Sequence, residues 1–421
     1  MTHLPRPRSA AAAFAVMLAL GLTGCDLSLP NSIFHAQSDI GHEIDRLTWL
    51  LIVLGLIVFV LVEVLLAVAI VKFRHRPGRE AARQIHGNTT LEITWTLLPA
   101  VILAIIAVPT VRSIWSTQAP AAPGALKVQV IGHQWWWEFR YPQYNVTTAN
   151  ELYLPVGRTA DFDLITRDVL HSFWVPALGG VKRDLISNHV NHLWYTPDSS
   201  FVYNGFCAEF CGTSHANMKF RVFTLPPNEF EQWIAHQQGG PVYPVAAAPA
   251  PDTAHTAGDT AHHGMTARVA TKPAAAAAPP PPPPQAPQPT PVAFAGFPRD
   301  RIPAHVVPQT PIPAGLTFSD VTGDAARGAA LYKRAQCIAC HTITGVSPGI
   351  VGPNLTHVGS RTTIAAGLYP ADAKHLSLWI KNAPRMKPGV LMPALGKSAE
   401  VPGGYDDQQI ADIVAYLLQL K

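Results

Sequence analysis

Cysteine is scarce in this chain: five among 421 residues. An odd number in an exported protein points to a spare thiol or a use other than disulfides. Each of the five has such a use available. Cys25 closes LTGC, Cys207 and Cys211 lie in CAEFCGTSHANM (207–218), and Cys337 and Cys340 lie in CIACH. Acid is scarce in one telling place. The stretch KFRHRPGREAARQIHGNTT sets Lys72, Arg74, Arg76, Arg79 and Arg83 against the single acid Glu80. What the chain has in quantity is proline, 40 residues, and apolar side chains, 48%. Together they exclude one compact domain, and the length suggests two or three units.

That basic stretch separates two apolar runs, LTWLLIVLGLIVFVLVEVLLAVAIV (47–71) and ITWTLLPAVILAIIAVPTV (93–111). Both reach the ~20 residues that a hydrocarbon core requires. The positive-inside rule puts the loop 72–92 in the cytoplasm and both flanks outside. Spans are expected at 47–71 and 93–115, with Glu63 inside the first, where a carboxyl needs a polar partner or a neutral proton; a hydrogen bond to another membrane subunit is favoured over a role in proton transfer. Upstream, Arg6 and Arg8 precede the short apolar AAAFAVMLALGL, which reads as an export signal over 1–24. LTGC resembles a bacterial lipobox, which would make Cys25 a lipidated N-terminus, followed by a periplasmic segment 25–46. A two-pass protein of the bacterial inner membrane with both termini periplasmic is expected.

From Leu126 the pattern has period two. Leu126, Val128 and Val130 alternate with Lys127 and Gln129, and Met218, Phe220 and Val222 with Lys219 and Arg221. This predicts antiparallel strands in a small sandwich or barrel over 125–236. Residues 237–315, with PAAAAAPPPPPPQAPQPTP, cannot bury enough apolar surface to order themselves and read as a linker. Helical signals return in 316–421: DAARGAALYKRAQ, and DDQQIADIVAYLLQL with Asp406 as N-cap and Gln409 three residues on.

CIACH carries the clearest chemistry. Two thiols at this spacing can add to the two vinyl groups of a haem, with His341 as proximal ligand. A second axial Met suits an electron carrier, and PRMKPGVLMPAL offers Met386 and Met392. Met392 is favoured; Met386 and His357 are the alternatives. In the loop 207–218 a structural disulfide would leave His215 and Met218 unexplained, along with His171 upstream in DVLHSFWVP. One copper would leave one thiol idle. Two coppers sharing Cys207 and Cys211 use the whole set, and sulfur with imidazole suits copper.

HSFWVP followed by C-x-E-x-C-G-x-x-H-x-x-M resembles the binuclear CuA site of cytochrome c oxidase subunit II. The helical hairpin, GHQWWWEFRYP and the further haem domain make the chain similar to the fused subunit II of caa-type oxidases. That resemblance implies a two-helix membrane hairpin, an all-β cupredoxin-like CuA domain and an all-α class I cytochrome c domain. It implies copper ligation by His171, Cys207, Cys211, His215 and Met218, with the carbonyl of Glu209 as a further contact. The Glu209 carboxylate would help hold a Mg²⁺ at the border with subunit I. Trp135 matches the ring through which electrons reach CuA, Trp136 reads as packing, and Glu92 matches a carboxylate at the mouth of a proton pathway. Lys182 and Asp184 fit the family pattern, whereas Ser187, Asn188 and His189 replace its Pro-Gly-Arg.

The resemblance further implies oxidase subunits I and III as partners and a reduced cytochrome c or other periplasmic donor; no nucleic acid is expected. Electrons would pass from haem to CuA and on to subunit I, where oxygen is reduced with proton pumping. The chain has no intramembrane histidines for that last step. A membrane-anchored cupredoxin–cytochrome carrier outside any oxidase is the alternative. Residues 318–421 hold ten basic and seven acidic side chains, and residues 125–236 hold eight and ten. Opposite net charges favour docking of one unit on the other, and the linker would keep them at high mutual concentration.

Overall fold

The computed structural model describes residues 31–74, 78, 86–241 and 297–421. The export signal, Cys25, most of the basic loop and residues 242–296 of the expected linker lie outside the described residues.

Helix α1 (Asp39–Lys72) and helix α2 (Thr89–Gln118) contain the two expected spans. Both are long and apolar enough to cross a membrane, and their apolar windows bury nothing within the chain. Each helix overruns its apolar stretch, and α1 uses the excess to join the globular part. Ser38 caps α1 by accepting from the Gly41 N–H, and Ile40 is buried in the core beyond. Asp39 accepts from the Thr196 N–H at 2.8 Å, and Ser116 of α2 donates to Glu43 of α1 at 2.7 Å. The hairpin is therefore fixed to the globular part rather than hinged beside it.

Ten strands come next: β1 (Leu126–His133), β2 (Trp136–Tyr141), β3 (Val146–Ala149), β4 (Glu151–Pro155), β5 (Ala160–Thr166), β6 (His171–Trp174), β7 (Arg183–Leu185), β8 (Asn191–Tyr195), β9 (Val202–Cys207) and β10 (Lys219–Leu225). They form two five-stranded sheets, β3-β2-β1-β5-β8 and β4-β10-β9-β6-β7. Pairing is antiparallel except for β1–β5 and β4–β10. Period two is visible in β1, where Leu126, Val128 and Val130 are buried and Lys127 is exposed. Trp137, Phe139, Phe162, Phe173 and Phe220 fill the core, each under 2% exposed. Helix α3 (Pro227–Gln238) closes the unit with Phe230 and Trp233 buried.

The chain returns at Phe297, and the rest of the expected linker is not free of the sandwich. Phe297 and Val306 are buried in the sandwich core. Only then does the third unit begin, with α4 (Ala325–Arg334), α5 (Ala373–Lys381) and α6 (Asp407–Gln419). Asp406 and Gln409 form the expected capping box on α6. Arg327 clamps Asp412 at 2.8 and 2.9 Å, tying α4 to α6. Two ladders of two residue pairs each supplement the helices.

Candidate metal and haem centres at a domain seam

The loop after β9 begins at Cys207 and rejoins β10 at Lys219, with the Cys207 N–H donating to the Met218 carbonyl at 3.0 Å. Cys207 and Cys211 are free thiols with their sulfurs 3.7 Å apart. His171 comes from β6, the neighbour of β9 in the sheet, and its Nδ1 lies 3.8 Å from Cys207 Sγ. His215 Nδ1 is 3.7 Å and Met218 Sδ 3.8 Å from Cys211 Sγ. The Glu209 carbonyl is 3.2 Å from Cys207 Sγ. His171, Cys207, Cys211 and Met218 are buried. Two thiols, two imidazoles and a thioether converging in a largely buried loop fit copper, the metal that favours soft sulfur with imidazole.

The electrostatics of the chain's own groups favour one thiolate at the site, at Cys207. The Cys207 thiol is held down, first by its contact with Cys211 and then, against burial, by His171 and nearby backbone. The same contact pushes Cys211 up. A thiol already inclined to ionise is the form that ligates metal. Burial lowers His171, but bonds to Asp168 and Cys207 outweigh it and leave its pKa raised. Asp168 is a residue the sequence reading missed. It meets His171 Nε2 at 2.7 Å and accepts from the Gln134 and Val169 N–H groups. This is the carboxylate–imidazole pair that orients a metal-binding ring. Its signal was its position three residues before His171 on the same turn.

In the third unit Cys337, Cys340, His341 and Met392 line one large, mostly apolar cavity. His341 Nδ1 bonds the Pro353 carbonyl at 2.8 Å, which fixes the tautomer and leaves Nε2 free as a ligand. Burial lowers its pKa, favouring the neutral ring. These features fit a haem attached through two thioethers. Met386 does not line the cavity; it is packed in the hydrophobic core, where its carbonyl accepts from Tyr369. His357 packs instead against His236, ring centroids 4.6 Å apart.

Trp135 and Trp136 of the sandwich also line this cavity. Trp135 is 8% exposed and its indole N–H donates to the Cys211 carbonyl at 3.1 Å. Gly212 and Gly389 approach its ring, and a Cβ would lie 3.1 Å and 2.7 Å from it respectively. Both glycines have positive φ, so the close approach and the backbone conformation make the same demand. Lys387 donates to the Trp135 carbonyl at 2.6 Å, and Ser214 to the Pro388 carbonyl at 2.5 Å. Trp136 stacks on His133, while Trp137 is core.

The remaining sequence candidates lie elsewhere. Glu92 is exposed at the start of α2, where it accepts from the Asn88 N–H at 3.2 Å as part of the helix cap. Glu63 is exposed on α1. The Glu209 carboxylate lies 3.9 Å from Lys182. Ser187, Asn188 and His189 form an exposed turn with Asn188 at φ 61.

Three family models match the chain. The cytochrome c oxidase subunit II transmembrane domain covers residues 30–112, the periplasmic domain of that subunit covers 145–224, and cytochrome c covers 325–421. Cytochrome c oxidase subunit 2 of Alkalihalophilus pseudofirmus is 30% identical over 414 residues, spanning 96% of this chain and 95% of that protein. The subunit 2 of Bacillus sp. strain PS3 is 29% identical over 368 residues, 83% and 80% of the two chains. Among solved structures, the periplasmic domain of subunit II of cytochrome oxidase of Bradyrhizobium japonicum aligns at 27% identity with a TM-score of 0.27, covering 28% of this chain and 97% of that one.

Proposed function

Because the chain belongs to the cytochrome c oxidase subunit II family, in the form with a C-terminal cytochrome c domain, we propose that it takes electrons at that domain and passes them through the β-sandwich to subunit I. It is a two-pass, membrane-anchored component of an oxidoreductase complex, and its family carries CuA copper and associates with subunit I. His171, Cys207, Cys211, His215, Met218 and the Glu209 carbonyl would hold two coppers; Cys337, Cys340, His341 and Met392 would hold haem c. When bound, these groups supply reversible one-electron storage, shared across two metals at the copper site.

The chain's own residues supply position and dryness. Asp168 and Pro353 hold the His171 and His341 rings in one orientation. Trp135 contacts Gly389 on the haem side and bonds the Cys211 carbonyl on the copper side, a packed connection between the two centres. We read a reduced cytochrome c as the donor, and subunit III as a further partner. A Mg²⁺ at the Glu209 carboxylate, proton translocation by the complex with Glu92 at a pathway mouth, lipidation at Cys25 and periplasmic termini complete the reading.

The observation that carries this proposal is the convergence of two thiols, two imidazoles and a thioether, with neighbouring donors no more than 3.8 Å apart. Metal analysis with copper EPR on the full chain tests it. Two coppers per haem, sharing one unpaired electron, is the expected result. One copper with a mononuclear spectrum overturns it.

A further inference from the structure

Glu151 opens β4, a strand whose five residues are all buried, and is itself 1% exposed. Its Oε1 accepts four hydrogen bonds, all from the cytochrome domain. The Thr362 N–H and Oγ1 lie at 2.7 and 2.6 Å, the Thr363 N–H and Oγ1 at 3.1 and 3.4 Å. Arg221 stands opposite Glu151 in the β4–β10 register and is 3% exposed. It donates to Thr362 Oγ1 at 3.2 Å and to the Val306 carbonyl. A buried carboxylate needs bonded partners, and most of these are supplied from across the seam. The same docked arrangement lays residues 387–390 over Trp135 through the Lys387, Pro388 and Gly389 contacts.

We propose that Glu151 and Arg221 are positioning residues that latch the cytochrome domain onto the sandwich as one resident assembly, keeping Trp135 covered from soluble reductants. The haem domain is then a fixed relay, and the linker does not serve a shuttle. Electron transfer through Trp135 rests on the function proposed above; the latch itself does not.

Amide hydrogen exchange on the full, copper- and haem-loaded chain tests this, followed by mass spectrometry of peptides covering 133–137, 362–366 and 386–391. In the parent chain all three exchange slowly. Glu151→Gln, which removes the charge, raises exchange in all three together by tenfold or more, with copper EPR and haem spectra unchanged. Thr362→Ala gives a smaller rise in the same peptides from the other side of the seam, and serves if the Glu151 variant does not fold. Electron equilibration between haem and copper after flash reduction slows in both. Exchange at the parent rate in both variants, or loop-like exchange in the parent, overturns the latch. Slow seam exchange in a parent without the binuclear copper spectrum would uphold the latch and overturn the copper reading.

Discussion

The membrane hairpin and the domain seam break the usual rule of burial in opposite senses. Helices α1 and α2 turn Leu61, Leu65, Ile105 and Val108 outward, each at least half exposed, while the seam hides Glu151, Arg221 and Lys387, each 3% exposed or less. An apolar surface accepts any apolar cover, lipid or protein, because hydrophobic burial has no direction. A buried charge accepts only partners at fixed positions. The hairpin can therefore adapt to its neighbours, whereas the seam specifies one geometry. Among the described residues nothing covers the apolar stretch of the hairpin, whereas the cover for the seam is part of the chain.

Changes at the seam should cost most. Arg221→Met removes the buried positive charge that stands opposite Glu151 in the register, along with the donor to Thr362 Oγ1 and the Val306 carbonyl, and should destabilise the docked chain by about 3–5 kcal/mol, read as a fall in the denaturation midpoint. Lys182 of the sandwich, whose side chain is 56% exposed and lies 3.9 Å from Glu209, should lose under about 1 kcal/mol on the same change. Equal effects would end the distinction. In the hairpin, Leu61→Arg should cost about 2.5–3.5 kcal/mol in membrane insertion, measured by glycosylation mapping; unchanged insertion would mean that this face meets water. Gly389→Ala should cost about 1–3 kcal/mol by forcing a methyl into Trp135, with a shift in tryptophan emission as the check.

The smallest effect is one of pH. Burial, and then the neighbouring His357, push His236 down to about 4, and burial lowers His357 as well. Undocked, both would titrate near the usual value of about 6.5. The undocked form therefore binds more protons between about 6.5 and 4, and docking should weaken as pH falls through that window. Above it there should be no dependence from this pair. Seam exchange measured against pH checks this, and His236→Phe should flatten the profile.

The candidate copper loop was legible because four side chains of suitable type, Cys207, Cys211, His215 and Met218, fall within twelve residues, and His171 sits in the motif HSFWVP. The helical spans were legible from length alone. Asp168 was harder, since one carboxylate on a turn has many uses. The residues that build the seam were not legible. Glu151 and Thr362 are separated by 211 residues, and periodicity reports which face of a strand is covered, never what covers it. Lys387, next to Met386 in the sequence, is enclosed at the Trp135 carbonyl and pushed down to about 7 by burial, which nothing in PRMKPGVLMPAL signals. The opposite net charges of the two units hinted at docking, but the contacts that hold it are a handful of buried groups which net charge does not resolve.

The placement of Phe297 and Val306 has a consequence for how such a chain can change over generations. The chain leaves the sandwich after α3 and comes back to the same sandwich at Phe297, before the cytochrome domain begins. The proline- and alanine-rich stretch is thus attached at both ends to one body. Its length and composition can drift, by slippage or insertion, without altering the spacing of the two redox units, because the ruler between them is the segment from 297 to 324, pinned to the sandwich by Phe297 and Val306.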